Sequence, residues 1–293
     1  MNILFLSIGT INNIKEKGIY TDLIRKLNNE GHNVYVVSAR ERRVKKQTEY
    51  SIESGVHHLK VKIGNITKTN ILEKGLSTLR IESIFLKAII KYYKNVKFDL
   101  VLYSTPPITF EKIISYIKKR DNAKTYLLLK DIFPQNAVDL KMFSKNSIIY
   151  KYFRRKEKQL YKISDFIGCM SQANVDFILR NNPEVDKSKV EICPNSIEPT
   201  TIERSEKKKI YIRNKYNIPL EKTVFIYGGN LGKPQGVDFL IECLNSNKGN
   251  NKVYFVIAGS GTEFQKLQTY FDKQQPENAQ LLKQLPKEDY DRL

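Results

Sequence analysis

Short apolar runs alternate along this chain with stretches in which apolar residues recur every three or four positions, and that alternation carries the reading of its elements. Ile3-Leu4-Phe5-Leu6 is an unbroken apolar run and predicts a buried strand over residues 3–8. Tyr20, Leu23, Ile24 and Leu27 then fall at helical spacing, Gly31 stops the helix, and residues 34–37 begin the next strand. This is a βαβ unit, which builds a parallel sheet. Further strands are expected at 58–63, 100–103, 125–129 and 166–170, with helices at 81–93, 108–117, 148–161 and 173–179. A short strand at 190–192 leads into a proline-bounded turn, and the run 203–209 is charged and lacks a core pattern. The alternation then starts afresh: strand 223–227, helix from Val237, strand 253–258, helix 263–270 and a weak strand at 279–282. The expected class is α/β, with two doubly wound parallel-sheet domains over residues 1–199 and 200–293.

The junctions leaving the strands at 223–227 and 253–258 are both bent by glycine. Tyr227-Gly228-Gly229-Asn230-Leu231-Gly232-Lys233-Pro234-Gln235-Gly236 passes from strand to helix, and Gly259-Ser260-Gly261-Thr262 repeats the arrangement. Glycines let a backbone approach an anion, a helix start offers unpaired N–H groups with partial positive charge, and Lys233 adds a full charge. A tight βα turn also favours glycine for its own sake. Two such turns in neighbouring units would converge on one crevice, which points to a phosphate-bearing ligand. In the first domain Gly18 closes the connection 9–17 beside a helix start, and Asp131 directly follows the apolar run 126–129. That position puts Asp131 at the carboxyl edge of the sheet, where ligands of doubly wound folds bind, although an Asp ahead of Pro134 equally suits a plain turn. Ser104-Thr105-Pro106-Pro107 forms a second polar loop at the same edge.

Composition adds a charge argument. Fifty Lys and Arg against 31 Asp and Glu leave a formal charge of +19, which favours an anionic partner such as a membrane surface, a nucleic acid or a phosphorylated ligand. A Lys-rich genome accounts for such an excess equally well. Residues 67–97 place Leu76, Phe85, Ile89 and Tyr93 among Lys74, Arg80, Lys87 and Lys91, the pattern of a helix on an anionic membrane and also of a core helix with a basic outer face. Lys151, Arg154, Arg155, Lys156 and Lys158 read as a solvated helix face. No helix-turn-helix, zinc or RNA-binding signature supports a nucleic acid partner. Cys169, Cys193 and Cys243 sit in or beside apolar runs and predict neither a disulfide framework nor a zinc site. No apolar run approaches the roughly 18 residues a membrane helix needs, and the first residues lack a basic leader, so a cytoplasmic location is expected.

Taken in order, several of these pieces resemble one family, the retaining GT-B glycosyltransferases of the family-4-like, group 1 type, found in capsule and O-antigen biosynthesis. Gly31-His32-Asn33-Val34 is similar to the family's Gly-His-x-Val, and Gly18 stands where its N-terminal glycine loop would be. Pro194-Asn195-Ser196-Ile197 is similar to its interdomain turn, residues 227–233 to its Tyr-x-Gly-Asn-Leu-Gly-Lys/Arg, and residues 257–261 to its Gly-x-Gly turn. Asp131-Ile132-Phe133-Pro134 resembles the Asp-Leu-Trp-Pro of members that build surface polysaccharide. The resemblance spans the chain. It implies two Rossmann-like domains facing a cleft, with a nucleotide-sugar donor on the second and a lipid-linked or saccharide acceptor on the first, at the inner face of an anionic membrane. It implies Asp131 and Lys233 as catalytic residues, with Lys233 neutralising the departing diphosphate. Gly18, Gly228, Gly229, Asn230, Lys233, Gly259 and Gly261 would bind the donor, and Pro194 and Asn195 would form the turn between domains. Neither a cofactor nor a metal is implied, and Asp289-Tyr290-Asp291, a match to the metal motif of the other glycosyltransferase fold, is set aside because it lies in a polar tail.

The departures are equally specific. Where many relatives carry an Arg and a Lys around the glycine loop, this chain has Asn230 and Gln235. The chain ends at Leu293 within what reads as the third βα unit of its second domain, and the family's paired glutamates have no counterpart; Glu41 with Glu49 and Glu198 with Glu206 have the spacing but lie in charged, loop-like segments. The expectation is a C-terminally truncated transferase with little or no activity by itself, which measurable sugar transfer by the 293-residue chain would contradict. A nucleotide-sugar epimerase of the same architecture and a non-catalytic binding module are the alternatives.

Overall fold

The computed structural model describes residues 1–67, 69–199 and 205–293, and the chain divides into two compact units, Met1–Glu198 and Pro199–Leu293. Lys68 and residues 200–204, which include Glu203 and the point where the domain boundary was expected, lie outside the described residues.

The first unit is built on one eight-stranded sheet. Its elements in order are β1 (Asn2–Ser7), α1 (Ile19–Asn29), β2 (Asn33–Glu41), β3 (Glu49–Glu53), β4 (Val56–Ile63), α2 (Ile71–Tyr93), β5 (Leu100–Ser104), α3 (Glu111–Asp121), β6 (Lys124–Leu129), α4 (Gln135–Asp139), α5 (Ile148–Ile163), β7 (Phe166–Cys169), α6 (Gln172–Asn181) and β8 (Val190–Ile192). The strand order is β3-β4-β2-β1-β5-β6-β7-β8, parallel throughout except for β3, which runs antiparallel on β4.

Burial on both faces explains why β1 reads as a continuous apolar run. Leu4 and Leu6 enter the larger core, with Ile81, Phe85 and Ile89 of α2, Ile113 and Ile117 of α3 and Leu160 of α5, while Ile3 and Phe5 point the other way onto Ile24 of α1. Gly31 stands at φ 83, and the His32 N–H reaches back to the Leu27 carbonyl at 3.3 Å, so the glycine that ends α1 does so by the left-handed closure such a stop requires.

The second unit comprises α7 (Glu206–Lys215), β9 (Thr223–Asn230), α8 (Val237–Ser246), β10 (Val253–Ser260), α9 (Phe264–Gln274), β11 (Ala279–Leu282) and α10 (Lys287–Tyr290). Its strands form a parallel sheet in the order β11-β10-β9. On one face Ile257 packs with Leu231, Val237 and Leu267, and on the other Val256 packs with Ile218 and Tyr254.

Three expectations are corrected here. The charged stretch around Glu41 and Glu49 is strand: Glu41 ends β2 and Glu49 opens β3. From Glu206 the charged run of the second unit is helix α7, whose buried side is Ile212 alone, and its periodicity is therefore nearly invisible. The polar tail folds as α10, with the Asp289 carboxylate accepting from Lys215 Nζ at 2.7 Å and Tyr216 Oη at 2.6 Å. Among the described residues no helix is long and apolar enough to cross a membrane.

Candidate functional site

The glycine stretch of the second unit is strand for longer than its composition predicts. β9 runs on through Gly228, Gly229 and Asn230, and β10 through Gly259 and Ser260, with Gly229 opposite Gly259 and Asn230 opposite Ser260. The two chains stay joined past the strands, because the Leu231 N–H donates to the Ser260 carbonyl at 2.9 Å and the Glu263 N–H to the Leu231 carbonyl at 2.8 Å. The junctions before α8 and α9 therefore sit side by side.

Close packing accounts for three of the four glycines. A Cβ at Gly228 would lie 2.0 Å from the Tyr290 ring, one at Gly259 2.0 Å from the Gly229 carbonyl oxygen, and one at Gly261 2.3 Å from that of Leu231. Gly229 differs. Its φ is +136°, and the space where its side chain would stand is open. Of these four glycines it is the one that leaves open space against the backbone.

The loop after Gly229 is braced from within. Gln235 Oε1 accepts from the Gly232 N–H and from Asn230 Nδ2, each at 3.2 Å, and Gly236 at φ 64 turns the chain into α8. Neither α8 nor α9 has a side chain capping its first turn, so their leading N–H groups keep their partial positive charge. Asp238, in the first turn of α8, pairs with Lys266 of α9. Lys233 is exposed, and no side-chain hydrogen bond or ion pair holds it among the described residues. Open backbone at Gly229, two uncapped helix starts and one uncommitted ammonium suit a compact dianion such as a diphosphate.

In the first unit the predicted residues have different partners. The N–H of Gly18 is already taken, donating to Asp22 Oδ1 at 3.0 Å. Asp22 also accepts from Arg25 at 2.6 Å and from the Glu198 N–H at 2.8 Å. Burial by itself would raise the Asp22 pKa, but these hydrogen bonds outweigh it and lower it. Gly18 is thus part of a brace that fastens the segment after Pro194 and Asn195 to α1. Pro194 and Asn195 are exposed, and Pro194 joins Tyr20, Tyr126, Lys130, Cys193 and Ser196 around a cavity of about 200 Å3.

Asp131 stands at the carboxyl end of β6, where its N–H and the Lys130 N–H approach Thr105 Oγ1 at 3.2 and 3.0 Å, while Thr105 Oγ1 donates to the Asp131 carbonyl at 3.1 Å. The carboxylate stays open to solvent on one side and lies against protein on the other, and that desolvation raises its proton affinity. Desolvation also raises the Tyr20 phenol, with the Asp131 charge acting in the same direction, so the two groups share one surround. Half-buried Lys130 is lowered by burial. Thr105 and Lys130 lie in the two loops expected at the carboxyl edge of the sheet, whereas Tyr20 was read only as a position on the first helix; its place two residues after Gly18 was the signal for it. Among the described residues no group of three or more His, Cys, Asp and Glu is arranged to hold a metal ion, and Asp289 is committed to α7.

Comparison with known proteins bears on the family and the fold. Residues 208–293 match the family described as glycosyl transferases group 1. The probable glycosyltransferase WbjE of Pseudomonas aeruginosa is 26% identical over 196 residues, 66% of this chain and 47% of WbjE, so the chain spans about half the length of that relative. The Escherichia coli trehalose-6-phosphate structure bound with UDP-2-fluoro glucose superposes with a TM-score of 0.66 at 10% identity, covering 99% of this chain and 75% of that one. Anabaena HepE, solved with UDP and glucose, gives 0.65 at 12% identity over 100% of this chain and 71% of its own. WaaG, a glycosyltransferase involved in lipopolysaccharide biosynthesis, gives 0.62 at 11% identity over 98% and 71%. Residues 208–293 are thus similar to the glycosyl transferases group 1, and the chain as a whole shares the α/β fold of the GT-B type seen in these solved structures.

Proposed function

We propose that this chain carries the donor and acceptor sites of a retaining, metal-independent glycosyltransferase that moves a sugar from a nucleotide-sugar to a lipid-linked or saccharide acceptor during surface polysaccharide assembly. Residues 200–293 are the donor side and residues 1–199 the acceptor side, working at the cytoplasmic face of a membrane. The observation that carries the reading is the pair of bonded βα junctions at Gly229 and Gly261, with Lys233 uncommitted beside them. The solved neighbours with UDP or a UDP-sugar bound, and WaaG with its part in lipopolysaccharide biosynthesis, support the donor class and the setting.

In this mechanism the donor diphosphate lies against Gly229 and Asn230 and the uncapped starts of α8 and α9. As the bond from the anomeric carbon to phosphate oxygen breaks, negative charge grows on the leaving diphosphate, and the Lys233 ammonium stabilises it there. Asp131, with its raised proton affinity, accepts a hydrogen bond from the acceptor hydroxyl and holds it for attack. Calorimetric titration of the chain with UDP, GDP and dTDP tests the donor site. At least one should bind, and Lys233→Ala should weaken that binding about tenfold or more, as loss of a charge-assisted contact does. Binding unaffected by Lys233→Ala, or no binding by any of the three, would overturn the assignment.

A further inference from the structure

One edge of the second sheet is unlike the other sheet edges of the protein. In the order β11-β10-β9, β9 has a neighbouring strand on one side only among the described residues. Its sequence, Thr223-Val224-Phe225-Ile226-Tyr227-Gly228-Gly229-Asn230, contains neither a charge nor a proline, the devices that keep a sheet edge from pairing. The edges of the first sheet have such a device: β3 begins on Glu49 and ends on Glu53, and the short β8 carries Glu191. The opposite edge of the second sheet, β11, is only four residues long. Burial makes the same point. β10 buries Tyr254, Val256, Ile257 and Ala258, whereas no residue of the similarly apolar β9 is buried, and Phe225 is 52% exposed.

The register fixes which backbone groups this edge offers. Successive residues of a strand point their N–H and C=O groups to opposite sides. The Thr223 N–H donates to the Lys252 carbonyl at 3.0 Å and the Leu231 N–H to the Ser260 carbonyl at 2.9 Å, so the odd-numbered residues of β9 serve β10. The N–H and C=O groups of Val224, Ile226 and Gly228 therefore face away from β10, and no hydrogen bond occupies them among the described residues. Asn230 continues the row, its carbonyl accepting from the Tyr227 hydroxyl at 3.3 Å.

We propose that this edge pairs with the same edge of a second copy of the chain, antiparallel, across a two-fold axis at Ile226. In that register Val224 lies opposite the partner's Gly228, Ile226 opposite the partner's Ile226 and Gly228 opposite the partner's Val224, so every outward N–H and C=O from 224 to 228 finds a mate. Phe225 comes opposite the partner's Tyr227 as an aromatic cross-strand pair, and the two sheets become one. A second copy suits this edge for three reasons. The outward row is complementary to itself, as a two-fold contact requires; the strand has no charge to repel its own image; and symmetry imposes antiparallel pairing, the more stable of the two modes. The contact does not use the open space at Gly229, so it stands or falls separately from the donor site.

Sedimentation velocity tests the stoichiometry and amide hydrogen exchange the register. As the chain is raised from about 1 to about 100 μM, its mass should rise to twice that of one chain and stop there. Over the same range the amides of Val224, Ile226 and Gly228 should pass from fast to slow exchange, while those of Phe225 and Tyr227, which face β10, stay slow throughout. Val224→Pro removes an outward donor where an edge strand tolerates proline, and Phe225→Lys sets an ammonium opposite the partner's Tyr227; each should weaken the dimer about tenfold or more. Slow exchange at Val256 and Ile257 in both variants reports that the unit is still folded. A mass of one chain at every concentration would overturn the proposal, as would growth beyond two chains, which marks open-ended aggregation. So would a dimer that keeps its strength in both variants or leaves Val224 and Ile226 in fast exchange, which marks a contact elsewhere.

Discussion

His58 shows how much one residue ties together. It is fully buried, and its Nε2 lies 2.8 Å from Ser38 Oγ, while Glu53 of β3 accepts from Lys60 at 2.6 Å and Ser51 at 2.9 Å. Burial first, then the nearby Lys60 charge, pushes the His58 pKa down from 6.5 to about 4. Burial works against ionised Glu53, but the Lys60 and Ser51 hydrogen bonds prevail and bring it from 4.5 to about 2. Both folded values lie below the unfolded ones, so both groups contribute stability at neutral pH that is lost on acidification. His58 accounts for a loss of about 3 kcal/mol as pH falls from 6.5 to 4, and Glu53 adds to it below 4.5. Denaturant midpoints measured across that range should fall, and His58→Gln should flatten the upper part of the slope; an unchanged midpoint between pH 7 and 5 would contradict the account.

Two glycines of the second unit separate packing from binding. Gly261→Ala would drive a Cβ into the Leu231 backbone, which cannot yield as a side chain can, and should cost about 2 to 4 kcal/mol. Gly229→Ala meets no atom and bears only the strain of its positive φ, about 1 to 2 kcal/mol, yet it fills the space where the proposed ligand would lie. Thermal unfolding with and without a bound nucleoside diphosphate should show the first variant unstable in both conditions and the second losing the ligand's stabilisation.

At the scale of elements, α2 is two helices in one. Its second half buries Ile81, Phe85, Ile89 and Tyr93, and its first half exposes Leu72, Leu76 and Leu79. Phe85→Ala should therefore cost about 3 to 5 kcal/mol, whereas Leu76→Ala should change stability by less than about 0.5 kcal/mol in chemical denaturation. The parallel strands of both sheets and most of the longer helices were legible, α2 only from residue 81 although it begins at Ile71, because buried parallel strands are apolar without interruption and crossover helices carry a stripe. What escaped reading lacked that signal. β3 is a charged edge strand with Tyr50 and Ile52 exposed, α7 buries Ile212 amid lysines, and α10 is fastened by polar bonds from Asp289. The glycine stretch was legible as a strand-to-helix junction, but not which glycine serves packing, because that depends on atoms brought in from Tyr290 and Leu231.

At the scale of the molecule the two units repeat one scheme, a largely parallel sheet followed at the strands' carboxyl ends by loops, and each unit has put different residues there. The first offers a carboxyl of raised proton affinity with Tyr20 and Lys130, the second bent backbone and an ammonium. The central claim is that the joined junctions after β9 and β10 hold the donor's diphosphate. Amide chemical shifts recorded while UDP is added to the isotope-labelled chain test it most directly: Gly229, Asn230, Leu231 and Gly261 should move together and saturably, and a set of moving signals confined to other residues, or none at all up to millimolar UDP, would contradict it.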